Sequence, residues 1–235
     1  MKFNNKLVEG ILVKRYKRFL ADVKLKDGNK ITVHTPNTGA MIGCSTPGSR
    51  VWIHNSENTK RKYLYGLELV ETLPGLLTGV NTILANKLIY EAIVSGQIVE
   101  LQNFQSIKPE VSYGKEKSRI DFFVQFDNAP DCYVEVKSVT MVKDNTAYFP
   151  DAVSKRGSKH LRELINIVRE GHRGLIIYCI QRSDADIFSP ADFIDSEYGI
   201  LLREAISAGV EAIAYKANVF PSEIVITKSV PVICP

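Results

Sequence analysis

Long apolar runs are missing from this sequence. No stretch approaches the ~20 residues that a membrane span needs, and the longest candidate, Leu175 to Ile180, has only the length of a strand. Cysteine is sparse. Cys44, Cys132, Cys179 and Cys234 lie far apart, with no CxxC pair and no Cys/His cluster at zinc spacing. Cys132 and Cys179 sit inside apolar, strand-like runs and read as buried free thiols of a reducing compartment. The opening residues, MKFNNKLVEGILVKRYKRF, have neither the unbroken apolar core nor the small-residue cleavage site of a secretory signal. Repeats and low-complexity tracts are absent too. These absences point to a cytoplasmic protein with no membrane span and no zinc.

What is present is material for a core. The chain has 235 residues, 45% of them hydrophobic and 24% charged, enough for one large or two modest domains. The net charge of +4 is unevenly spread. Residues 1–80 hold 13 Lys and Arg against 6 Asp and Glu, a net of +7, while residues 81–235 hold 17 against 20, a net of −3. A basic first third on a mildly acidic remainder fits a surface that faces an anion such as nucleic acid. It also fits a small basic domain with no such partner.

Residues 1–80 read as an all-β module. Strands are expected at 7–14, 18–25, 30–35, 50–55 and 63–71, with Asp27-Gly28 as a hairpin signal between the second and third. Five short strands in this length match the size of an OB-like barrel. Two clusters interleave cations with tyrosine: Lys14, Arg15, Tyr16, Lys17 and Arg18, then Lys60, Arg61, Lys62 and Tyr63. Cations meeting phosphates beside a stacking ring are the ingredients of a nucleic-acid surface; lysines that protect an edge strand are the alternative. Between the clusters lies a loop-rich stretch, 34–48, dense in Thr, Asn, Gly and Pro. It fits either an anion-binding loop, which would admit a small phosphorylated metabolite, or a hydrogen-bonded structural loop.

Residues 72–80, TLPGLLTGV, read as the junction to a second domain over 81–235. A helix follows from Asn81 to about Gly96, with Glu91 near its apolar stripe. The segment PEVSYGKEKSR, with Glu110, reads as a connector. Residues 119–139 then alternate with period two on both sides of the turn-forming Asp127-Asn128-Ala129-Pro130-Asp131, the pattern of a β-hairpin. The tightest closure sets Phe126 opposite Cys132 and Asp121 opposite Lys137, so Asp121, Glu135 and Lys137 share the face away from the apolar rows. A loop at 141–150, a helix over 154–170, a doubly buried strand at 173–181, a helix over 192–208, a strand at 210–215 and an edge strand in the tail complete an α/β pattern. The helix at 154–170 begins with Lys155, Arg156, Lys159, His160 and Arg162, against the preference of helix starts for acids. Arg156 and Lys159 are therefore candidates for phosphate contact.

Charges on the second face of a hairpin are often just solvated. Yet Asp121–x13–Glu135–x–Lys137 resembles the signature of the PD-(D/E)XK nuclease superfamily. Two close carboxylates attract a hard divalent cation, with Asp121 and Glu135 as ligands and the Val136 carbonyl as a third. Such an ion polarises a phosphate and activates water. Lys137 would orient that water or offset transition-state charge, and Glu91 would add an outer or second-metal carboxylate.

The segments KRYKRFLADV (14–23), HTPNTGAMIGC (34–44), NTKRKY (58–63), SRIDF (118–122), EVKSVT (135–140) and YFPDAV through KHLREL (148–164) resemble the sugar fermentation stimulation protein (SfsA) family along essentially the whole chain. That resemblance implies an N-terminal OB-like domain, a C-terminal PD-(D/E)XK nuclease-like domain, DNA as partner and a link to bacterial sugar use. Two functions follow as expectations. One is a Mg²⁺- (or Mn²⁺-) dependent DNA nuclease. The other is a non-catalytic, largely sequence-non-specific DNA-binding regulator of sugar (maltose-type) metabolism. Oligomeric state is not legible in the sequence.

Overall fold

The computed structural model describes residues 1–113 and 118–235. The first six strands are β1 (Val8–Tyr16), β2 (Leu20–Leu25), β3 (Lys30–His34), β4 (Arg50–Asn55), β5 (Tyr65–Leu73) and β6 (Leu76–Gly79). They follow the order β3-β2-β1-β4-β5-β6, and β3 also pairs with β5 in parallel, at His34 and Gly66. This extra pairing closes the first five strands into an OB barrel around Leu12, Val23, Val33, Val51, Ile53 and Leu67. Residues 72–80 are not the bare junction expected from their Pro and Gly. Pro74-Gly75 is a hairpin turn, with Gly75 at φ 78°, that folds β6 back antiparallel on β5.

The second domain comprises α1 (Ile83–Val94), a short 3₁₀ turn (Val99–Leu101), β7 (Ser106–Tyr113), β8 (Ser118–Gln125), β9 (Cys132–Val139), β10 (Met141–Lys143), β11 (Thr146–Phe149), α2 (Lys155–Arg169), β12 (Arg173–Ile180), β13 (Ile187–Pro190), α3 (Ser196–Ser207), β14 (Glu211–Val219) and β15 (Ile224–Val230). Its main sheet has the order β15-β14-β12-β9-β8-β7. The central strands β14, β12 and β9 are parallel, and the flanking strands run antiparallel.

Alternation along the strands sorts two cores. Val134 and Val136 of β9 and Ile177 of β12 face α1, together with Trp52 and Leu69 of the barrel. Ile176, Tyr178 and Ile180 face α2 and α3, meeting Leu161, Leu164 and Tyr198. The continuous apolar run of β12 is thus a strand buried on both faces, as the sequence implied.

Two segments read as irregular are strands. The connector before the hairpin contains β7, the sheet edge; residues 114–117 of that segment lie outside the described residues. The 141–150 loop is the β10–β11 hairpin, which pairs with the distant β13 in a separate small sheet. Among the described residues no helix is long and apolar enough to cross a membrane.

Candidate active site

The β8–β9 hairpin pairs from Val124–Cys132 to Phe122–Val134. The register is displaced by two residues from the tightest closure, because the turn residues 127–131 form a wider connection. A shift of two preserves the faces. Beyond Phe122 the strands part. Phe122 and Val124 of β8 enter the core under α1, but Ile120 enters the core under α2, so the strand rolls over at Asp121.

The gap is where the chemistry collects. In a strand, the N–H and C=O of one residue point to the same side. The Val136 N–H faces β8, and no β8 carbonyl meets it there. Asp121 Oδ2 accepts it instead, at 2.7 Å, while Asp121 Oδ1 accepts from Asn86 Nδ2 of α1, also at 2.7 Å. The Val136 carbonyl is directed to the same side. Burial, and then the nearby charge of Glu135, push the Asp121 carboxyl up to about 6, against the opposing bonds from Val136 and Asn86.

Glu135 and Lys137 point to the α2 side and are 3% and 9% exposed. Lys137 Nζ donates to Glu135 Oε1 at 2.7 Å. His160 of α2, itself buried, brings Nδ1 to the same Oε1 and lies 3.3 Å from Lys137 Nζ. Arg156 Nε donates to His160 Nε2 at 3.3 Å. Burial opposes the Glu135 charge, but Lys137 and His160 outweigh it and hold the carboxyl below its ordinary range. All of this acts on Oε1. The other oxygen, Oε2, is buried and has no hydrogen-bond partner among the described residues.

A buried acceptor with no donor beside a second carboxylate is a position for a cation. The donor set available is the Asp121 carboxylate, Glu135 Oε2 and the Val136 carbonyl, all oxygen, which suits a hard divalent ion that keeps water and phosphate in its remaining positions. No group of three or more His, Cys, Asp and Glu side chains gathers as a metal cage among the described residues. Asp121 and Glu135 could hold an ion only as an open pair, with water or substrate in its other positions.

These groups line a cleft of about 460 Å³. Its floor is Asp121 and residues 135–140. Thr82, Ala85 and Asn86 of α1 form one side, and residues 148–154 with Lys155 and Arg156 form another. The barrel contributes Arg18, Asn37, Thr38 and Gly39. The barrel wall is fixed in place. Met41 N donates to Asp151 Oδ2 at 2.8 Å, and Gly39 approaches so closely that a Cβ there would lie 2.1 Å from Asp151 Oδ1. Arg15 binds the carbonyls of Arg18, Asn37, Gly39 and Ala40. The 34–48 stretch is therefore a hydrogen-bonded structural loop whose edge reaches the cleft.

The cleft brings together some of the residues singled out in the sequence and not others. Asp121, Glu135, Val136 and Lys137 share the cleft with Arg18 and Arg156. Glu91 does not reach it. It lies five residues after Asn86, about 140° around the helix, is exposed, and pairs with the Met1 amino group at 2.8 Å. Arg15 is engaged by backbone carbonyls rather than offered to a phosphate. Tyr16 donates to Asp22 at 2.9 Å, and Lys14 lies 5.1 Å from its ring centroid, so that ring is engaged within the barrel. Lys17 and Lys60 are exposed on barrel loops. Arg61 and Lys62 line a different pocket, and Lys159 lies on α2. Asn86 and His160 were missed. The signal for His160 was present: it stands four before Leu164 and seven before Ile167, on the buried stripe of α2.

Comparison with known proteins matches two family models: the sugar fermentation stimulation protein RE domain over residues 83–223 and the SfsA N-terminal OB domain over residues 13–78. Among solved structures, SfsA from Pyrococcus furiosus in complex with Ca²⁺ superposes with a TM-score of 0.89 at 27% identity, covering 99% of this chain and 98% of that one. A repair endonuclease from Pyrococcus abyssi aligns at 10% identity over 88% and 87% of the chains, with a TM-score of 0.33. The small subunit of the heterodimeric restriction endonuclease R.BspD6I aligns at 11% identity over 56% and 62%, with a TM-score of 0.28. At such scores the last two do not bear on the chemistry.

Proposed function

The chain belongs to the sugar fermentation stimulation protein family, and from that premise we propose that it is a divalent-metal-dependent phosphodiester hydrolase acting on DNA. The observation that carries this reading is the buried, unpartnered Glu135 Oε2 beside the Asp121 carboxylate, in a cleft that also presents Lys137. Asp121, Glu135 and the Val136 carbonyl would hold Mg²⁺ or Mn²⁺. The Ca²⁺ carried by the Pyrococcus furiosus protein supports a hard-cation site in this fold. When bound, the ion supplies polarisation of the scissile phosphate and a water of lowered pKa.

The chain's own residues do the rest. Asn86 and the Val136 N–H orient the Asp121 carboxylate. Lys137 and His160 hold Glu135 through Oε1, which leaves Oε2 without a donor among the described residues. The Lys137 ammonium is placed to offset negative charge as it builds on the phosphate. Arg18, Lys155 and Arg156 rim the cleft and fit the flanking phosphates.

The test is cleavage of labelled single-stranded and duplex DNA with Mg²⁺ or Mn²⁺, comparing the wild type with Glu135→Ala. Cleavage that needs the ion and disappears in the variant supports the reading. DNA that stays intact across substrate forms, while binding persists, leaves the non-catalytic DNA-binding regulator as the better account.

A further inference from the structure

A second pocket, of about 400 Å³, opens on the barrel. It is more apolar than the cleft and is bordered by His34, Pro36, His54, Arg61, Lys62 and Tyr63. It is a built site. The His54 ring lies against the Gly66 backbone, where a Cβ would stand 2.3 Å from His54 Cε1. Glu68 Oε1, only 3% exposed as a residue, lies 2.5 Å from His54 Nδ1, and Asn81 Nδ2 donates to both Glu68 oxygens at 3.0 Å. His34 is stacked on Phe19 with the rings 11° from parallel. Ile83 lines the pocket as well and keeps 70% of its surface exposed, an apolar pad at the first residue of α1.

The pocket and the cleft are neighbours along three separate segments. Arg18 reaches the cleft, while the next residue, Phe19, braces His34. Pro36 lines the pocket, and Asn37 and Thr38 line the cleft. Asn81 and Ile83 line the pocket, while Thr82 between them lines the cleft. Between them Thr82 donates twice to the Pro36 carbonyl, through N at 3.2 Å and Oγ1 at 2.8 Å.

Flat rings and an exposed isoleucine beside Arg61 and Lys62, the latter over the Tyr63 ring at 5.7 Å from its centroid, match an unstacked base and its phosphate. Arg61 and Lys62 are exposed and well placed for the phosphate; the rings fit the base. A paired base in a duplex hides its faces and cannot enter such a pocket. Taking the cleft as the reacting site, as proposed above, we infer that this barrel pocket holds an unpaired nucleotide of the same strand, so that the substrate is single-stranded at and beside the reacting phosphate.

Binding without divalent metal tests this. Fluorescence anisotropy of a labelled single strand of about 15 nucleotides, and of its duplex, is measured in EDTA over a salt series, using the full chain. Arg61→Ala/Lys62→Ala is expected to weaken single-strand binding roughly tenfold and to flatten its salt slope by about 1.4. His34→Ala is expected to weaken it roughly tenfold with the slope unchanged, since stacking releases no counterions. Duplex affinity should change little in either. Single-strand affinity equal to the wild type, or equal losses on duplex and single strand, overturns the assignment. The result is separable from the nuclease reading. A protein that cuts DNA but ignores these substitutions loses the pocket and keeps the activity; one that binds through the pocket and cuts nothing keeps the pocket and loses the activity.

Discussion

Asp121 Oδ2 accepts the backbone N–H of Val136 at 2.7 Å, standing where a strand carbonyl would complete the β8–β9 ladder. One side chain thereby satisfies a buried donor, opens the hairpin and brings a carboxylate beside Glu135. The cost is visible in its proton affinity. Burial, together with the Glu135 charge, raises the carboxyl to about 6.

This cost predicts a pH-dependent stability. Between the ordinary carboxylate range and pH 6 the folded protein binds the proton more tightly than the unfolded chain, so this contribution is present at low pH and lost as pH rises through 6. Asp121→Asn should therefore be more stable than the wild type at pH 7.5, by at most about 3 kcal/mol, and the advantage should vanish near pH 4. Urea unfolding at both pH values measures it. A variant less stable than the wild type at pH 7.5 contradicts the prediction.

A bound divalent ion should reverse that balance. Adding Mg²⁺, Mn²⁺ or Ca²⁺ at about 100 times Kd should stabilise the wild type by about 2.7 kcal/mol, read as a rise in Tm. The rise should shrink below pH 6, as Asp121 takes up its proton, and should be absent in Glu135→Gln. An equal rise in that variant places the ion elsewhere.

Lys137→Ala should lower kcat for DNA cleavage by about 10²–10³-fold, the loss typical of a removed charge-stabilising group. Glu91→Gln should leave kcat and KM unchanged and cost stability within about 1 kcal/mol, because its half-exposed carboxylate pairs with the Met1 amino group and does not reach the cleft. Steady-state kinetics of the two variants side by side separate the cleft from the far side of α1.

The barrel wall makes a steric prediction. Gly39→Ala forces a methyl against the Asp151 carboxylate and should destabilise the protein by about 1–3 kcal/mol. Combining it with Asp151→Ala should cost less than the sum of the single changes, because the clash goes with the carboxylate. Strict additivity in thermal or urea unfolding would show that the wall gives way elsewhere.

The uneven legibility of the site has a physical basis. Glu135 and Lys137 share a face because a strand has a period of two, whereas Asp121 reaches the cleft only because β8 rolls over there, which the alternation did not announce. A helix forgives less. Apolar residues surround α1, with Leu88 and Ile93 buried but Ile83, Tyr90 and Val94 exposed, so the apolar stripe of the sequence left its rotation open, and it is Asn86 rather than Glu91 that lines the cleft. Arg15 and His160 share another difficulty. Each stands in a run of cations that composition assigns to solvent or phosphate, and each is spent inside the protein, on loop carbonyls and on Glu135 respectively. The β10–β11 hairpin depends on β13, some forty residues later, and three- and four-residue strands leave too short a pattern to read. Barrel closure by β3 and β5 is likewise a long-range pairing that no local signal announces.

The claim on which the rest depends is that Asp121, Glu135 and the Val136 carbonyl hold one hard divalent ion. Anomalous diffraction at the manganese edge, from crystals of the wild-type protein grown with Mn²⁺, tests it most directly. A single strong peak bonded to the Asp121 carboxylate, Glu135 Oε2 and the Val136 carbonyl is expected, and no such peak in Glu135→Ala. A peak bound to other groups, or none in the cleft at millimolar Mn²⁺ with both carboxylates ionised, would contradict it.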